Sequence, residues 1–117
     1  MAYMLLIHEP KGQRLTRTEA EGRAVYERML RFGADLKARG LLLAAESLAS
    51  QDDAAQVQVR GGRPQVLDGP FSEAKEMVGG FFLVDCATRE EALAIAGQCP
   101  AAEWATIEVR SLGPCFA

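Results

Sequence analysis

Two segments of this 117-residue chain, Tyr3–His8 and Val78–Cys86, are apolar on both of their faces, and this constrains the fold more than any motif does. In a strand, alternate side chains point to opposite sides. Tyr3, Leu5 and Ile7 therefore share one face of the first segment, with Met4, Leu6 and His8 on the other. In the second, Phe82, Val84 and Cys86 oppose Phe81, Leu83 and Asp85. Short apolar runs of this kind belong to the interior of a sheet that is covered on both sides.

Two helix patterns are available to do the covering. Val25, Met29, Phe32 and Leu36 make one apolar helix face. It starts at a capping-box pattern, Thr16 with Glu19 or Thr18 with Glu21, and stops at Gly40, with Lys37 and Arg39 in the last turn, where cations suit the helix dipole. Ala92, Ile95, Ala96 and Cys99 make the second, between a Thr88–Glu91 start and Pro100. Leu41–Ala45 and Ala105–Arg110 read as further strands, and Ser50–Asp53 as a loop. Gln56–Arg60 and Gln65–Leu67 flank Gly61-Gly62, a hairpin signal because both glycines tolerate positive φ. The order is strand, helix, strand, inserted hairpin, strand, helix, strand. That is one α+β domain over residues 1–117, a ferredoxin-like antiparallel sheet with two helices on one face. Two helices on one side leave the opposite apolar face bare, a larger patch than a monomer carries. A homodimer with sheets packed face to face is the expected solution.

Charge and composition exclude several functions. A net charge of −3 and a pI near 5.2 do not suit a nucleic-acid surface, which needs a basic stripe. No apolar run approaches membrane-spanning length, and Met1–Met4 lacks the basic segment of a signal peptide, so a cytoplasmic location is expected. Cys86, Cys99 and Cys115 form no CxxC pair; the first two read as buried thiols. One histidine and scattered carboxylates give no metal-ligand spacing, and no cofactor loop is present, so no metal or cofactor is expected. Haem would find only His8 as an axial ligand. The run VGGFFLVDC echoes the aromatic strand of an RNA-recognition motif but lacks its basic first position.

The stretch LDGPFSEAKEMVGGFFLVD, from Leu67 to Asp85, resembles the signature of the DGPF-domain family, a branch of the YCII-related proteins. Asp68, Gly69, Pro70, Phe71, Glu73, Lys75, Gly79 and Gly80 carry the match. The opening YMLLI, the GLLLAAESL segment and ALAIAGQCPAAEWATIEVRSL extend it over nearly the whole chain. The resemblance implies a dimeric α/β barrel. It also implies a tie to transcription, since DGPF proteins are often encoded beside extracytoplasmic-function sigma factors. In the wider group a His–Asp pair has been proposed as an acid/base site, and one branch is a dehydrochlorinase. Family members commonly have a tyrosine where this chain has His8.

Five residues stand out as candidates. Asp68 precedes Gly69-Pro70, and Pro70 has no N–H to receive an Asx-turn bond. Its carboxylate either caps Phe71 or Ser72, or stays free for chemistry. Lys75 is either one half of a surface ion pair with Asp68 or Glu73, or an anchor for an anionic ligand. Glu73 shares that polar turn, solvated or ligand-facing. His8, the lone histidine, ends a central strand; it is a rim residue or a proton carrier near neutral pH. Glu46 has the parity of Leu42 and Ala44, so it lies over the interior with a basic partner or turns to solvent. Gly79-Gly80 signals a bulge or a close approach to the backbone.

Two functions fit. In one, Asp68 and His8 exchange protons while Lys75, Glu46 and Glu73 help hold a small anionic molecule, in elimination or isomerisation next to a carbonyl. In the other, the protein is a non-enzymatic regulatory module linked to sigma-factor-dependent transcription.

Overall fold

The two doubly apolar segments become the two central strands. The computed structural model describes residues 1–117. Its elements are β1 (Ala2–Pro10), α1 (Glu19–Ala38), β2 (Leu42–Ser47), β3 (Ala55–Arg60), β4 (Arg63–Asp68), β5 (Glu76–Asp85), α2 (Arg89–Gln98) and β6 (Thr106–Ser111), with short 3-10 turns at Gln13–Thr16, Gln51–Asp53 and Pro100–Glu103. Four strands form an antiparallel sheet in the order β2-β5-β1-β6, while β3 and β4 form a separate two-stranded hairpin. This is the ferredoxin-like α+β arrangement with an inserted hairpin.

Local chemistry sets the helix ends. The Thr18 hydroxyl accepts from the Glu21 N–H, and the Glu21 carboxylate accepts from the Thr18 N–H, so α1 opens on a complete capping box. The backbone hydrogen bond from Thr18, with its side chain next, holds the Glu21 carboxyl below its ordinary value. At α2 the Thr88 hydroxyl accepts from Glu91, but the Glu91 carboxylate reaches the Ala87 N–H instead, leaving that box half closed.

Both helices pack on one face. Tyr3, Leu5 and Ile7 of β1, Phe82 and Val84 of β5, Phe32 and Leu36 of α1, and Ala92, Ile95 and Ala96 of α2 belong to one buried cluster. The Phe32 and Phe82 rings meet edge to face with centroids 5.1 Å apart, worth about 0.5–1.5 kcal/mol beyond area burial. Cys86 and Cys99 are buried, which pushes both thiols up, while Cys115 is exposed.

Directly opposed residues on paired strands rise on the same side. The rows Glu46–Phe81–Leu6–Glu108 and Ala44–Leu83–Met4–Arg110 therefore lie on the helix-free face. No part of the chain covers them. Only 17 of 117 residues are buried, so the core is one-sided and thin.

Two irregularities reset the alternation. Leu42 pairs with Val84 but Ala44 pairs with Leu83, so β2 bulges at Leu43. The parity expected to join Leu42, Ala44 and Glu46 is broken there: Leu42 faces the helices, whereas Ala44 and Glu46 face away. In β5, Ile7 pairs with Gly80 and His8 with Val78, which leaves Gly79 as the extra residue of a bulge.

The hairpin turns at Gly61 and Gly62, whose φ values of 57° and 76° suit the twist of a two-residue turn. Ala55, Val57 and Val59 oppose Asp68, Val66 and Pro64, giving one mostly apolar face, and Gln56, Gln58 and Gln65 lie on the other. Every residue of both strands is exposed.

Candidate functional site

β1 carries a carboxylate into the helix-covered side. Glu9 continues the inward alternation of Tyr3, Leu5 and Ile7 and is only 7% exposed. Burying an ionised carboxylate is costly unless it is paired, and Arg14 pairs with it in fork geometry, Nε to Oε2 at 3.0 Å and Nη2 to Oε1 at 2.7 Å. Gly12, at φ 85°, turns the chain after β1, and the 3-10 turn Gln13–Thr16 brings Arg14 back over the strand end. Lys11 ties this turn to the DGPF loop: its N–H donates to the Lys75 carbonyl and its Nζ to the Phe71 carbonyl. The bulge supplies the room. A Cβ on Gly79 would lie 1.8 Å from Glu9 Oε1, so the carboxylate occupies the volume a side chain there would need.

A second guanidinium stands beside the pair. Arg17 lies over the Trp104 ring, its Cζ 5.6 Å from the centroid, within cation–π range. Gln13 braces both, donating to the Trp104 carbonyl at 2.9 Å and accepting from Arg17 Nη2 at 3.4 Å. Arg28 also lies over Trp104, at 5.4 Å, but is paired with Glu103. Arg17 makes no ion pair, so the cluster Glu9, Arg14 and Arg17 carries a formal net charge of one positive, with the Glu21 carboxylate acting on Arg17 only through space.

These groups open into a groove of about 550 Å3 between α1 and the sheet, within the range of small-molecule sites. Gly22, Val25, Met29, Gly33 and Ala34 of α1 form one wall, and Ile7, Leu42, Ala45 and Phe82 of the sheet form the other. Val25 and Met29 lie on the helix face expected to fill the core, yet they are only half-buried, because the N-terminal half of α1 stands over this space.

The residues singled out by sequence do not meet at one place. Asp68 ends β4 on the valine side of the hairpin; it is exposed and its carboxylate makes no hydrogen bond or ion pair. It caps neither Phe71 nor Ser72. The loop is held instead by the Gly69 N–H to the Ala54 carbonyl, 2.7 Å, and the Ala74 N–H to the Phe71 carbonyl, 3.1 Å. Gly69 is required there, since a Cβ would lie 2.4 Å from the Gln51 carbonyl oxygen. Lys75 and Glu73 are exposed, and neither side chain is in an ion pair. His8 sits on the helix-free face, its Nε2 2.7 Å from Glu108 Oε1. Glu46 touches the rim of the groove, but its pairing with Phe81 sends its side chain to the helix-free side.

Glu9, Arg14, Arg17 and Trp104 have no counterpart among the sequence candidates. One signal for them was present: Glu9 extends the parity of Tyr3, Leu5 and Ile7, so a carboxylate follows three core positions.

A family model for the YCII-related domain matches residues 1–115. A protein of Rhizobium meliloti (strain 1021), described only as uncharacterized, is 49% identical over 43 residues, which make up 37% of this chain and 35% of that protein. The match spans about a third of the length of this curated relative.

Proposed function

The chain belongs to the YCII-related family, and on that premise we propose that it binds a small anionic molecule in the groove beneath α1. One observation carries this reading: an apolar-walled groove of about 550 Å3 holds a cation, Arg17, that is in direct contact with no carboxylate, Glu21 acting on it only through space. Arg17 provides the charge and Trp104 the flat surface beside it. Glu9, neutralised by Arg14, is the buried carboxylate of this groove. Trp104 is the sole tryptophan, so benzoate binding is read directly from its fluorescence. Wild-type protein is expected to respond saturably and Arg17→Gln at least about tenfold more weakly, in line with a charged hydrogen bond. An unchanged affinity in Arg17→Gln refutes the reading.

The reading includes a second copy over the helix-free face. The chain exposes 8000 Å2, where a compact monomer of this mass shows about 6,200 Å2. Its radius of gyration is 16.1 Å, against about 13 Å for a compact domain of this length. The excess surface has the size of one side of a homodimer interface. Sedimentation equilibrium at micromolar concentration is expected to give twice the chain mass; a monomer there removes this part.

Acid/base chemistry at Asp68 and His8, with Lys75, Glu73 and Glu46 as binding groups, keeps one observation in its favour: the Asp68 carboxylate is not spent on the turn. Those residues belong to a site only if the second copy gathers them, so an obligate monomer excludes that chemistry too. The regulatory reading is supported by the uncovered valine face of the hairpin. Absence of binding between purified protein and the sigma factors of its host excludes it.

A further inference from the structure

The charged groups of the groove that are not fully exposed lie at one end only, and that asymmetry goes beyond its affinity for anions. At the bulge end lie Glu9, Arg14, Arg17 and the paired Ser47 and Gly80. Four residues along β5, about 13 Å away by strand rise, Leu42 pairs with Val84 next to Phe82, Gly33 and Ala34, and no charged group stands between. Lys37 is the one charge at that far limit, and it is exposed. Along α1 the lining runs from Gly22 to Lys37, 15 residues, or about 22 Å of helix. A lining this long, apolar beyond its charged end, suits an extended hydrocarbon chain rather than a compact ring.

We propose that the groove takes an elongated monocarboxylate, its head on Arg17 beside Trp104 and its hydrocarbon tail running along Met29 and Phe82 toward Ala34. This rests on the groove being the anion site. The charge balance supports a single acidic head: Arg14 is already matched by Glu9, which leaves one guanidinium at the polar end. Gly33 closes the far part of this wall, where α1 lies near Phe82; a Cβ there would meet the Phe82 ring at 3.4 Å, ordinary contact distance.

The test is a titration of wild-type protein with linear acids from hexanoate to hexadecanoate, each below its micelle-forming concentration, with benzoate, dodecanol and dodecanedioate as comparisons. Trp104 fluorescence and calorimetry are read in parallel. Affinity is expected to rise about fourfold per added methylene and then level off once the channel is filled. Dodecanol should bind at least about tenfold more weakly than dodecanoate. Ala34→Phe, at an exposed lining position, should move the plateau to shorter chains while leaving hexanoate unaffected. Benzoate binding with no gain from chain length overturns this inference and leaves the anion site standing. Equal affinity for dodecanol, or tighter binding of dodecanedioate, overturns the single acidic head. No response to any acid, benzoate included, removes the anion site itself.

Discussion

Adding one methyl group at Gly79 should be among the more damaging small changes in this protein. Gly79 does not have positive φ, so alanine is allowed by the backbone. By restricting the unfolded chain it would on its own stabilise by about 0.4–1 kcal/mol. The contact decides the sign. A Cβ placed 1.8 Å from Glu9 Oε1 cannot coexist with the carboxylate where it now lies. Glu9 must swing away and break two charge-assisted hydrogen bonds to Arg14, each worth about 1.5–3 kcal/mol net. The Arg14 side chain is 34% exposed and the Glu9 side chain 9%, so water compensates the guanidinium much better than the carboxylate. The net cost should be about 2–4 kcal/mol. With a urea slope of about 1–3 kcal/mol per molar, the unfolding midpoint of Gly79→Ala should fall by about 1–2 M at fixed protein concentration. The same substitution in a Glu9→Ala background meets no oxygen and should cost little, a coupling of about 2 kcal/mol or more in a double-mutant cycle. A cost below about 0.5 kcal/mol in the wild-type background, or an equal cost in both, would refute the account of Gly79 as a cradle for Glu9.

Three further outcomes follow from contacts already described. Asp68→Ala should leave urea stability within about 0.5 kcal/mol of wild type, because its carboxylate holds nothing, whereas Gly69→Ala should cost more than about 2 kcal/mol through the Gln51 carbonyl; the reverse order would return Asp68 to a structural role. The Glu21 carboxyl is held below its ordinary value, so its stabilisation is complete above the ordinary glutamate range and is lost as pH falls through the lowered value. Glu21→Gln should therefore be less stable than wild type at pH 6 and converge with it toward pH 2, and parallel stability curves would contradict this. In the folded protein one thiol per chain, Cys115, should react quickly with a maleimide, while Cys86 and Cys99 wait for unfolding; rapid labelling of all three would show the core to be open.

The sheet was legible because its signals are short-range. The twofold alternation of β1 and β5 and the Gly61-Gly62 turn need only a few neighbouring residues to be read and appear as the sequence implies, and of the two capping boxes it offered for α1 the structure has Thr18–Glu21. Bulges are different, since they are properties of pairing. Nothing within Leu41–Ala45 announces that Leu43 is skipped, and that single residue moves Glu46 from the helix side of the sheet to the other. The Gly79 bulge is announced by its glycine, but its purpose depends on Glu9, 70 positions earlier, and on a reversal at Gly12 that returns Arg14 to the strand. The groove depends on how far α1 stands off the sheet, which the spacing of Val25, Met29, Phe32 and Leu36 does not encode. Asp68, Lys75 and Glu73 drew attention through their motif, and the fold leaves all three on the surface of a single chain.

The hairpin also bears on how this chain resists aggregation while it is being made. A two-stranded ribbon has two unpaired edges, each a template for strand addition by another chain, and its valines have the composition of an aggregating segment. Three residues near its tip oppose that. Pro64 removes one amide from β4, and Arg60 and Arg63, paired across the turn, bring two like charges together at the point where a stacking copy would bring two more. They act as gatekeepers in the sense used for exposed strands. The ribbon can keep an apolar face exposed because its tip resists extension by a stacking copy.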